Sequence, residues 1–93
     1  MAKEEALLED WLELESGHGA RTLTMLARGK EVEKSFPMVP PNPLKYLLIS
    51  FVQRSIEELR RIEQEATGRG FPNIAQRARQ TYQTYETRLR EVS

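Results

Sequence analysis

Ninety-three residues with no cysteine, fourteen basic against fourteen acidic groups and 39% hydrophobic content exclude a good deal at once. One domain of this length holds a single core, disulfide stapling and thiolate metal sites are ruled out, and neutrality removes the strongly basic footprint expected of a nucleic-acid binder. The longest dense apolar run, residues 44–52, contains Lys45 and Ser50 and falls far short of a membrane span; with no basic region followed by an apolar run at the start, a soluble, cytoplasmic chain is expected.

Residues 3–15 place Leu7, Trp11 and Leu14 at helical spacing, with Leu8 and Leu12 widening the stripe, and their acidic groups suit the positive end of a helix dipole. Ser16 and Gly17 read as its stop. An amphipathic helix with its Trp completing the core is the plain interpretation. The functional one makes Leu8, Trp11 and Leu12 a docking segment for a partner's groove.

Between residues 18 and 36 two patterns compete. Leu23, Leu26 and Ala27 fit one helical face ending at Gly29, whereas the alternation of Thr22, Leu23, Thr24 and Met25, with Gly29 before Glu31, Val32 and Glu33, fits a hairpin. A short helix over about 20–28 is preferred, because a lone hairpin in a helical chain has little to pair with. Residues 36–43 hold Pro37, Pro40, Pro41 and Pro43, which make a stiff, non-helical connector. Phe36, Met38 and Val39 look like residues that cover the core, and a proline-ligand reading of Pro37 and Pro40 is weaker for want of a flanking basic residue.

Asn42 as N-cap and Pro43 behind it open a long helix, about 43–67, with Gly68 as its left-handed stop. Leu44, Leu48, Phe51, Ser55, Leu59, Ile62 and Ala66 form its main stripe, with Phe51 as the expected core anchor. Ile49, Val52 and Ile56 make a second stripe on the flank. After a short link, Pro72 starts an antiparallel helix, about 72–92, whose narrow stripe is Ile74, Ala78, Tyr82, Tyr85, Leu89 and Val92. The fold class is therefore all-α, a small single-domain helical bundle built on a long central helix.

Chemistry is sparse. His18 is the only histidine, in a chain that offers it no cysteine partner and no set of further metal ligands at suitable spacing, and no glycine-rich phosphate loop occurs. No enzyme activity, metal or cofactor is expected. Charge is uneven, however. Lys3 stands against Glu4, Glu5, Glu9, Asp10, Glu13 and Glu15, so the first sixteen residues carry −5 and the rest +5, and the acidic first helix should dock near the arginine-bearing last one.

Arg77, Arg79, Arg88 and Arg90, interleaved with Gln76, Gln80, Gln83 and Thr87, would be the contacts of a nucleic-acid binder. The leading expectation is instead a non-enzymatic interaction or regulatory module with a protein partner and no membrane. Self-association as a homodimer is expected through Ile49, Val52 and Ile56, on the ground that a helix of about 38 Å outreaches a compact monomer roughly 30 Å across.

Overall fold

The computed structural model describes residues 2–38, 40 and 42–93. Three helices account for the fold: α1 (Ala2–Ser35), α2 (Leu44–Arg69) and α3 (Pro72–Val92). Lys45 meets Glu33 and Arg69 meets Glu4, so α1 and α2 run antiparallel. Arg60 meets Glu86, and the Tyr82 hydroxyl donates to Glu63 at 2.7 Å, which sets α3 antiparallel to α2. No strand occurs among the described residues.

The first helix is one element and not two. The expected stop at Ser16 and Gly17 and the separate choice between a short helix and a hairpin over 18–36 are both replaced by 34 continuous helical residues. Each interior glycine costs about 1 kcal/mol relative to alanine, a penalty that two packed neighbours along this length outweigh. Gly19 is also required. A Cβ there would stand 2.5 and 2.7 Å from two ring carbons of Tyr85, whose hydroxyl donates to the Ser16 carbonyl at 2.5 Å. The glycine lets an α3 ring rest on the α1 backbone.

At 1.5 Å per residue α1 is about 51 Å long, and the Cα envelope is 56 × 18 × 14 Å. The molecule is a rod, so α2 does not outreach its own domain and the length argument for a dimer falls. Asn42 caps α2 as expected, its side-chain oxygen accepting the Leu44 amide at 3.0 Å. The far end extends further than read. Gly68 is helical, and Gly70, at φ 81°, is the left-handed residue, its amide and that of Phe71 closing on the Thr67 and Ala66 carbonyls. Both ends of α3 fall where the sequence places them.

The core runs through Leu8, Leu12, Leu23, Leu26, Val52, Ile56, Leu59, Ile62, Ala66, Ile74, Ala78, Tyr82 and Tyr85. It confirms the second half of the main α2 stripe and corrects the first half. Phe51 is 48% exposed and Leu44 is exposed; the inward residues at that level are Val52 and Ile56. A helix with two neighbours buries the arc that lies between them, and α3 draws that arc toward the flank stripe. Phe36 and Met38 do not cover the core either, Met38 being 93% exposed. Val39 lies outside the described residues.

Candidate interaction surfaces

The residues expected to dock partners are mostly spent on folding. Leu8 and Leu12 are buried in the core and Trp11 packs half-buried against it, so this segment serves the bundle. Val52 and Ile56 are buried by the chain's own helices, and Ile49 is half-buried against the same cluster; they form no free self-association face.

The arginines of α3 divide into two pairs. Arg77 donates to Glu9 of α1 at 3.0 Å, and Arg79 lies 3.9 Å from Glu63 of α2, so the acidic first helix and the basic last helix do lie together in one chain. Arg90 reaches Thr87 at 3.5 Å and not Glu86, which pairs with Arg60; Arg88 and Arg90 are exposed. Arg60 also stands 4.6 Å over the Tyr82 ring, an attraction added to the Glu63 hydrogen bond. Burial first, and then that hydrogen bond, push the Tyr82 hydroxyl above its ordinary range. These exposed ion pairs contribute about 0 to 1 kcal/mol each, so they select the arrangement of helices more than they hold it.

His18 stands 3.3 Å from Glu15 at the mouth of an open groove of about 540 Å³ between α1 and α2, walled by Arg21, Arg54 and Glu58 with Phe51 beside them. Ser55 also lines this groove but is itself buried. A carboxylate beside an imidazole can orient it, but no hydrogen bond joins the ring to a hydroxyl among the described residues. Nor do three or more His, Asp or Glu side chains there gather as metal ligands.

Two apolar surfaces remain. One lies where α1 and α2 run past the end of α3: Phe36, Leu44 and Leu47 are exposed, and a cleft of about 180 Å³ opens at the last turn of α3 between Met25, Val32, Leu48, Pro40 and Val92. The other is a line on the outer side of α1, which shares Met25 and Val32 with that cleft. Leu7, Leu14, Met25 and Val32 are 48 to 62% exposed. Steps of seven, eleven and seven residues join them, and at 3.6 residues per turn these steps fall within about 20° of whole turns. Leu7 and Leu14 were expected to point inward, with Leu8 and Leu12 at the margin; the helix is rotated so that the two pairs exchange roles.

No helix among the described residues is long and apolar enough to cross a membrane. Comparison with known family models, curated proteins and solved structures found no match.

Proposed function

We propose that this protein is a non-enzymatic helical interaction module whose working surface is the outer face of α1. The observation that supports it is the straight line of Leu7, Leu14, Met25 and Val32, which the protein's own core does not need. Single exposed apolar side chains are ordinary, but four in register along one 34-residue helix form a line, interrupted by His18 and Arg21, of the kind that an interface uses. The partner is a protein with an apolar helical or grooved surface. Nucleic-acid binding through α3 has less support, because Arg77 and Arg79 are already paired with Glu9 and Glu63.

A photoreactive residue placed at Leu14, and separately at Gln83 on the exposed side of α3, tests the reading in the native cell. Protein adducts at position 14 and none at position 83 are expected. Nucleic-acid adducts at 83 with none of any kind at 14 would replace the proposal with the α3 reading.

A further inference from the structure

Building on that reading of the α1 face, we propose that its occupant is a second copy of this chain, packed antiparallel about a two-fold axis crossing the helix between Gly19 and Ala20. The argument starts from symmetry. Leu7 and Val32 lie equally far on either side of this point, and so do Leu14 and Met25. A two-fold axis there sets Leu7 of one copy against Val32 of the other and Leu14 against Met25, each contact made twice. A two-fold interface must be self-complementary, and nothing in the core of a monomer requires its outward residues to be placed symmetrically.

The flanks agree with this register. In an antiparallel helix pair like flanks face each other. One flank carries Asp10 and Arg28, which lie within one residue of opposition across the axis. Both are exposed, and among the described residues neither has an ion-pair partner in its own chain. The dimer joins Asp10 of each copy to Arg28 of the other. The opposite flank brings Trp11 of one copy over Gly29 of the second, where nothing beyond its own turn of helix lies within 4 Å of a would-be Cβ; bulk meets space. Nearest the axis, His18 faces Arg21 of the second copy. A guanidinium stacked on an imidazole is a workable contact, and one polar layer in an apolar seam fixes register at some cost in affinity.

The four apolar residues present roughly 400 Å² per copy, so that with the flanks the dimer buries on the order of 1,000 Å² in total, the lower bound of specific interfaces. An interface at that bound belongs to weak association, which is read by varying concentration.

Sedimentation of the purified full chain from low to several hundred micromolar should show a transition from 10.8 kDa to twice that mass. Leu14→Glu should remain helical by circular dichroism and stay monomeric. Asp10→Arg and Arg28→Asp should each weaken association about tenfold, and an equimolar mixture of the two should regain it, since in the mixed dimer both pairs are again opposite in sign. The chain has no cysteine of its own, so register can be read by disulfide trapping. Leu14→Cys mixed with Met25→Cys should cross-link. Leu14→Cys alone should not, because the two copies of position 14 stand about 16 Å apart along the seam.

A monomer at several hundred micromolar, self-linking of Leu14→Cys as readily as the mixed pair, or no rescue in the charge-swap mixture would each overturn the proposal. A monomer in solution that still gives protein adducts at position 14 in the cell overturns the second copy alone. Loss of those adducts as well removes the α1 face from any interaction.

Discussion

The middle of the rod and its connector end are built from the same helices and differ in one respect, the presence of α3. Where all three helices run side by side, Leu23, Leu59, Ile62 and Val52 are closed off from solvent. The C-terminal turn of α3 then reaches its limit: Val92 shares a cleft with Leu26, Gly29 and Leu48, and Lys30 donates to the Glu91 carbonyl, a cation placed at the negative end of a helix dipole. Beyond that level α1 and α2 have only each other, and Phe36, Leu44 and Leu47 stay exposed. The comparison teaches that periodicity in one helix says how many faces are apolar, while the number of neighbours decides which of them is buried.

The largest expected effect contrasts one residue from each region. Leu59→Ala, in the three-helix segment, removes a fully buried side chain and should cost about 2 to 5 kcal/mol. Leu47→Ala, at the two-helix end, should cost less than about 1 kcal/mol, because half of the side chain is already in water. Urea denaturation of both variants measures this. Equal losses would mean that the connector end is as well packed as the middle.

Legibility followed the same division. The bounds of α3 and its stripe were readable because Pro72 marks the start and its apolar residues fall on one narrow face, which both neighbours share. So was the second half of α2, where Leu59, Ile62 and Ala66 are apolar and the residues between them charged or polar. The first half carries apolar residues on two flanks, and nothing local says that α3 will pull Val52 and Ile56 inward and leave Phe51 out. The outer line of α1 was hidden for a different reason. Leu7 and Leu14 belonged to one expected helix and Met25 and Val32 to another element, and only an unbroken helix through Gly17 and Gly19 puts them in register. Helix propensity at Ser16-Gly17-His18-Gly19 argues against that continuity, and the Tyr85 ring sixty-six residues beyond Gly19 decides for it.

Gly17 and Gly19 sharpen the point, since they are neighbours in the chain with opposite surroundings. Gly19→Ala drives a methyl into the Tyr85 ring at 2.5 and 2.7 Å, and displacing a ring tethered to the Ser16 carbonyl should cost about 1 to 3 kcal/mol. At Gly17 a Cβ meets nothing within 4 Å, so Gly17→Ala should stabilise by about 0.5 to 1 kcal/mol through helix propensity alone. Shifts of the same sign in thermal unfolding would show that the ring does not rest on the α1 backbone.

Tyr85 itself gives a smaller loss than Gly19→Ala, and the one with a pH signature. Its hydroxyl donates across the α1–α3 contact to the Ser16 carbonyl, a bond worth about 0.5 to 1.5 kcal/mol, so Tyr85→Phe should be destabilised by about that amount at neutral pH. Burial pushes the phenol above its ordinary range, with Arg88 opposing. A folded-state pKa raised above the unfolded value of about 10 means that the neutral phenol's contribution is complete below pH 10 and is lost as pH rises through the folded value, because the unfolded chain releases its proton first. The phenolate also has no proton to donate. The difference between the natural protein and Tyr85→Phe should therefore be constant from pH 7 to 9 and should shrink above pH 10. Denaturant titrations of both proteins at pH 7, 9 and 10.8 separate the alternatives, since a difference that stays the same at pH 10.8 would mean that the hydroxyl is solvated and that its bond to Ser16 does not join α1 to α3.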